Sequence, residues 1–258
     1  MAKSWKMAMS ENARKLRGSS LAENVRTIGY ALLIALFIRA LLFQPFFIPS
    51  SSMESTLLIG DYLFVAKYSY GYSRHSLPFS PPIFSGRIAG VQPERGDIAV
   101  FKQPIDNRTD FIKRVIGLPG DTVQMKGGVL YLNDKAVPRV RVDDFIQRDA
   151  AGNVHRIPQY RETLPNGVSY ITLDRMRDSV WDNTGLYIVP AGHYFMMGDN
   201  RDNSSDSRVP DAVGYVPFEN LIGKAEIIFF SADGSAAFWQ FRRWPSAIRW
   251  DRNGKWTE

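Results

Sequence analysis

The sequence predicts a mainly β protein: an N-terminal transmembrane helix followed by an all-β body of antiparallel sheets, with a smaller inserted β subdomain. Three observations predict it. The run Ile28–Phe43 (IGYALLIALFIRALLF) is apolar on every helical face apart from Arg39. Beyond it, short runs rich in Val, Ile, Tyr and Phe alternate with Gly, Pro and Asn turns. The stretch 133–185 is more polar than its flanks and carries its own turns at Gly152-Asn153 and Pro165-Asn166-Gly167.

The elements follow in order. Residues 1–26 are basic, with Lys3, Lys6, Arg14, Lys15, Arg17 and Arg26 against Glu11 and Glu23. This excess keeps the N-terminus in the cytoplasm and sends residues 49–258 across the membrane. The anchor is assigned to 27–45, ended at Gln44-Pro45, with Arg39 close enough to that end to snorkel. A buried soluble helix is the alternative; a cleaved leader lacks a small-residue cut site in Ala-Leu-Leu-Phe-Gln-Pro. Strands are expected at 61–66, 97–101, 111–116, 129–132, 136–137, 170–173, 186–189, 194–197 and 224–230. Residues 46–132 and 186–258 form the catalytic body and 133–185 the insertion. Residues 78–94 (PFSPPIFSGRIAGVQPE) are too rich in Pro and Gly for a central strand.

Composition removes whole classes of function. The chain has 258 residues and no cysteine, so disulfides, thiol catalysis and cysteine-ligated metals are out. The net charge of +6 is concentrated at the two ends rather than in one patch. Four of six tryptophans (Trp239, Trp244, Trp250, Trp256) lie in the last twenty residues among Arg242, Arg243, Arg249 and Arg252. Stacked bases, a membrane interface or a buried sheet edge would each use such a segment. Beside an anchor the interface is preferred, and no nucleic acid is expected as a partner.

The chemistry rests on serine and lysine. His75, His155 and His193 lie in no hydrolase context, and G-x-S-x-G, S-x-x-K, K-T-G and H-E-x-x-H are all absent. Asp199, Asp202 and Asp206 fail the calcium-loop spacing, because Arg201 takes the third position and no glycine falls at the sixth; no metal or cofactor is expected. In Phe111-Ile112-Lys113-Arg114-Val115-Ile116 a lysine sits inside an apolar strand. Arginine stays protonated, but a buried lysine can lose its proton and activate a serine. Taken alone, Lys113 is by default a structural or surface lysine.

Flanking motifs decide between these readings. Ser50-Ser51-Ser52-Met53 with Thr56-Leu57-Leu58-Ile59-Gly60-Asp61, then Arg95-Gly96-Asp97-Ile98-Ala99-Val100-Phe101, then Phe111 to Asp121, then Gly198-Asp199-Asn200-Arg201-Asp202-Asn203-Ser204-Ser205-Asp206-Ser207-Arg208 follow the anchor in this order. Together they resemble the boxes of bacterial type I signal peptidases. The resemblance implies Ser52 as nucleophile and Lys113 as general base. It implies an oxyanion site from Ser50 and the Ser52 amide, and Ser204 as the hydroxyl that orients the lysine. Arg114, Asp199, Asp206 and Arg208 match a supporting charge cluster. Ser51 departs from the pattern, where glycine is common, and adds a rival hydroxyl.

Phe46, Ile48, Met53, Leu57, Phe111 and Ile112 are candidates for a substrate cleft, with core packing as their other reading. The resemblance further implies a membrane-anchored serine endopeptidase that removes signal peptides from exported preproteins and prefers small residues at −1 and −3. The expected setting is the bacterial inner membrane, with a single pass, lipid contact and proximity to the export translocon. A specialised Ser/Lys peptidase for pilins or organelles, and a non-catalytic tethered binder of exported chains, are the rivals.

Overall fold

In a computed structural model of the protein, residues 21–148, 152–237 and 239–257 are described. The basic segment 1–20 lies outside them. A helix, α1, runs from Leu21 to Leu42, and its last five residues, Ile38–Leu42, form a π-helical turn. Its apolar residues, Leu32, Leu33, Leu36 and Phe37 among them, are exposed. The helix therefore has no core of its own to face, as a lipid-facing span requires.

The expected anchor boundary is corrected here. Residues 43–45 are not helical but open strand β1 (Phe43–Phe47). β1 pairs antiparallel with β2 (Asp61–Ala66), Phe43 opposite Ala66 and Phe47 opposite Tyr62. Phe43, Gln44 and Phe46 carry side chains that suit a pleated surface, and Pro45, which has no N–H to give a ladder, sits on an edge strand.

The remaining strands are β3 (Ile98–Lys102), β4 (Asp110–Gly117), β5 (Thr122–Lys126), β6 (Val129–Leu132), β7 (Lys135–Ala136), β8 (Arg139–Arg148), β9 (Val154–Thr163), β10 (Ser169–Leu173), β11 (Tyr187–Ile188), β12 (His193–Met197), β13 (Val216–Pro217), β14 (Leu221–Ser231) and β15 (Lys255–Trp256). An eight-stranded sheet runs β1-β2-β14-β3-β4-β12-β13, with β15 added to β14. A four-stranded sheet runs β11-β5-β6-β7, and a three-stranded sheet runs β10-β9-β8. The hairpin β6–β7 thus spans the expected 132/133 boundary, and residues 139–173 form the three-stranded sheet. β8 and β9 escape a sequence reading because their exposed and half-buried residues break the apolar alternation.

The large sheet is buried on both faces at its centre. Ile98 and Val100 of β3 enter one core with Leu63, Val65 and Ile112. Ala99 and Phe101 enter another with Val115, Tyr194 and Met196. This is why residues 98–101 read as an unbroken apolar run rather than an alternating one. β14 holds the sheet's curl: its register shifts twice against β2 and once against β3, and each bulge adds local twist.

Gly223 lies at one of these shifts. A Cβ there would stand 2.4 Å from the backbone oxygen of Ala66, with no flexible side chain to yield. Gly223→Ala is expected to cost about 1–3 kcal/mol, read as a lower urea midpoint with an unchanged slope.

Candidate active site

The site begins with Met53 and Leu57. Both are fully buried in the core with Ile48, Leu63 and Ile112, each contributing about 1.5–3 kcal/mol of burial. They hold a tight turn in which Glu54 N donates to Ser51 O and Leu57 N to Met53 O. Ser52, one residue before Met53, is lifted to the floor of an open cleft of about 740 Å³.

Lys113 arrives from β4, where it lies opposite Ala99 of β3. Its Nζ donates to Ser52 Oγ at 2.7 Å and to Ile112 O at 2.9 Å. The amine is 3% exposed. Burial pushes it from the ordinary 10.5 down to about 8; Asp206 and Asp199 oppose that fall only in part, and Arg208 adds to it. Roughly a tenth of the amines are then neutral at pH 7. Ser50 Oγ stands 3.5 Å from Ser52 Oγ. Ser51 turns the other way, its hydroxyl accepting from Asn203 Nδ2 at 2.8 Å, so the rival hydroxyl is engaged elsewhere.

Arg114 projects to the opposite side of the strand from Lys113, as pleating demands. Its Nε and a terminal nitrogen grip Asp199 at 2.9 and 2.7 Å. Thr56 Oγ1 donates to the same carboxylate at 2.6 Å, joining the Ser52 turn to the last motif. Burial disfavours the Arg114 charge, and Asp199 more than offsets this. Asp206 and Arg208 form a second buried fork, at 2.9 and 2.8 Å. Burial acts to raise the Asp206 carboxyl, and Arg208 outweighs it, so Asp206 stays ionised. Gly198 N also donates to Asp206 at 3.0 Å. A Cβ on Gly198 would meet Ser204 Oγ at 2.2 Å and Ser52 O at 2.5 Å, so only glycine fits between these two.

The other expected residues divide. Phe46, Phe111 and Ile112 line the cleft with Ser52 and Lys113. Ile48, Met53 and Leu57 do not line it; each is buried to within 1% in the core, because the turn points them inward to carry Ser52 outward. Ser204 lines the cleft, but its hydroxyl lies toward Asp206, where it helps hold the carboxyl low, and Lys113 Nζ hydrogen-bonds to Ser52 and Ile112 instead.

Several residues of the site escape a sequence reading. Glu54 is held by Arg175 at 2.7 Å and by Gln147 at 3.3 Å. Asn200 donates to Ser51 O at 2.9 Å and, from its backbone, to Ser52 O at 3.1 Å. Ser55, at φ 94°, is held in that left-handed conformation while its hydroxyl donates to Ile171 O at 2.9 Å. Beyond Arg114, Tyr170 lies 4.3 Å below the guanidinium. Tyr170 also donates to Glu162 at 2.9 Å, and Glu162 forks with Arg201 at 3.1 and 2.5 Å. The C-terminal segment is not only an edge. Arg252 forks onto Asp61 at 3.1 and 2.5 Å and donates to Thr56 O at 2.9 Å.

Comparisons with known proteins give this geometry its context. The family described as signal peptidase, peptidase S26, matches residues 21–230. The chain belongs to that family and is a serine endopeptidase. Within it, the chain is 46% identical over 210 residues to a signal peptidase I of Rickettsia typhi, spanning 78% of this chain and 77% of that protein. It is 44% identical over 218 residues to a signal peptidase I of Rickettsia canadensis, spanning 81% and 80%. A solved signal peptidase I from Enterococcus faecalis is 28% identical, with a TM-score of 0.30, over 52% of this chain and 97% of that one.

Two predictions follow from the geometry. The buried lysine costs the fold stability for as long as it keeps its proton. Its folded pKa of about 8 lies below the usual 10.5, so between those values the unfolded chain binds more protons and stability rises with pH. Lys113→Met is therefore expected to raise stability at pH 7 by up to about 3 kcal/mol, with the gain fading by pH 11 in urea titrations. Glu54→Gln breaks the Arg175 clamp on the nucleophile turn. It is expected to lower kcat about tenfold with little change in KM, measured on a peptide substrate.

Proposed function

We propose that this protein removes signal peptides from exported preproteins through a Ser52/Lys113 dyad and an acyl-enzyme. The single observation that carries the reading is the 2.7 Å contact between Lys113 Nζ and Ser52 Oγ in a cleft where the amine is buried. Neutral Lys113 takes the Ser52 proton, and Ser52 Oγ adds to the scissile carbonyl. The Ser50 hydroxyl and the Ser52 amide receive the oxyanion, a position that their proximity to Oγ supports. Protonated Lys113 gives its proton to the leaving amine as the C–N bond breaks. A water, deprotonated in turn by Lys113, cleaves the ester and releases Ser52.

Ser204 acts here as the hydroxyl that orients the amine, a rotation away from Asp206 that its place in the cleft wall beside Lys113 allows. Arg114, Asp199, Asp206 and Arg208 pair among themselves and so leave Lys113 without a close counter-ion. The extended cleavage segment lies in the cleft between Phe46 and Phe111, alongside strand edges. Small side chains at −1 and −3 suit a floor already filled by Ile112 and the nucleophile turn.

Membrane anchoring is part of the same reading. α1 is exposed, apolar and long enough to span with little tilt. The outer face of β1-β2-β14 continues it as an exposed aromatic ladder, in which Phe47 packs on Tyr62 at 4.9 Å and Phe64 stacks on Phe229 at 4.3 Å. This face meets lipid, with residues 1–20 on the cytoplasmic side of a bacterial inner membrane and the cleft on the other, near the export translocon.

The test is cleavage of a model preprotein by detergent-solubilised protein, with sequencing of the new N-terminus. Ser52→Ala and Lys113→Met are each expected to lower kcat by at least about 10³-fold, and kcat/KM of the wild type should rise with pH to a plateau above about 8. Undiminished cleavage by Lys113→Met at pH 7 overturns the dyad.

A further inference from the structure

A second pocket, of about 410 Å³, lies between the end of α1 and the body. It is remote in chemistry from the cleft and shares only Asp110 with it. Leu36 and Arg39 form the helix side of its wall, and Lys67, His75, Lys102 and Arg108 are on the body side. Four permanent or near-permanent cations therefore face one carboxylate, Asp110. That carboxylate is already taken by Lys102 at 2.7 Å.

Two of the basic groups are buried with donors to spare. Lys67 is 1% exposed, and among the described residues its amine hydrogen-bonds only to Ser76 O, at 2.5 Å. An ammonium has three protons to give. His75 is 5% exposed. Its Nε2 faces the Nε–H of Arg74 at 3.2 Å and so accepts, which leaves the ring proton on Nδ1. Nδ1 is buried and has no partner. Burial, with the Arg74 charge, holds His75 below its usual value and therefore neutral at pH 7. Burial and the like charge of Arg39 together push Lys67 down to about 8, with Asp110 opposing only weakly. A pocket that pays for two adjacent cations and an idle buried N–H is incomplete until an anion with several acceptor oxygens enters it.

We infer that this pocket binds the phosphodiester of an anionic phospholipid. The phosphate oxygens accept from Lys67 Nζ, His75 Nδ1–H and the Arg39 and Arg108 guanidiniums. Leu36, Leu77 and Ile222 in the same wall receive the first carbons of the lipid. A lipid is favoured over free phosphate because one wall is the last turns of α1. Arg39 lies where a spanning helix snorkels its arginine to the headgroups. The inference rests on the membrane-anchored reading of α1 given above.

The test uses the full chain, purified in detergent and stripped of lipid, with phosphatidylglycerol, phosphatidylcholine and inorganic phosphate as probes. Native mass spectrometry and thermal unfolding read retention and stabilisation. Wild type is expected to retain phosphatidylglycerol about tenfold more strongly than phosphatidylcholine. Lys67→Gln, and the more exposed Arg108→Gln in case the first fails to fold, are expected to lose that preference. Equal retention of the two lipids, or a preference undiminished in Arg108→Gln and in folded Lys67→Gln, overturns the inference. Inorganic phosphate that stabilises as much as phosphatidylglycerol assigns the pocket to free phosphate and overturns the lipid. Flotation with pure phosphatidylcholine vesicles reports α1 separately: a wild type that does not float overturns the anchor, whereas one that floats without lipid preference overturns only the pocket.

Discussion

An amine kept out of water without a counter-ion is the constraint around which this structure is built. Lys113 is buried at the junction of β4, the Ser52 turn and the last motif. The two nearest carboxylates, Asp199 and Asp206, are each forked by an arginine. A free carboxylate at either place would favour the charged amine more strongly than the forked ones do. The forks thus do two things at once. They make it possible to bury four charges beside the cleft, and they deny Lys113 a partner.

The three-stranded sheet of residues 139–173 belongs to this arrangement. Leu173 exchanges backbone bonds with Asp199 and Arg201, so β10 is stitched to the last motif. Tyr170 lies under Arg114, and Glu162 answers Arg201, behind the first fork. On the other side Gln147 and Arg175 hold Glu54, two residues from Ser52. A segment that reads as a separate insertion therefore supports the site from below, and the nucleophile turn is clamped between it, Asn200 and the C-terminal Arg252.

How much of this could be read in advance depends on how local each signal was. Lys113 and Arg114 were legible because a strand sends neighbours to opposite faces, and the structure has them on opposite faces. Ser52 was legible from its place before Met53 in a motif of known order. Ile48, Met53 and Leu57 were apolar residues near the nucleophile, and nothing in their spacing separated cleft wall from core. The turn between Ser51 and Leu57 made that separation. Arg201 and Glu162 lie thirty-nine residues apart in the chain, and their pairing had no local trace. β1 was hidden for a different reason: Phe43–Phe47 is as apolar as the helix before it, so hydropathy ran on across the point where the backbone changed.

By itself the sequence determined the class of fold, the apolar N-terminal span, the absence of thiol chemistry, and the motif residues that came together. These follow from residue type and short-range period, which one chain segment carries alone. Tertiary structure decided which hydroxyl meets the amine, how far that amine's affinity for a proton falls, and which arginine holds which carboxylate. Those quantities depend on burial and on distances between segments far apart in the chain, and no segment holds that information until the others are packed against it.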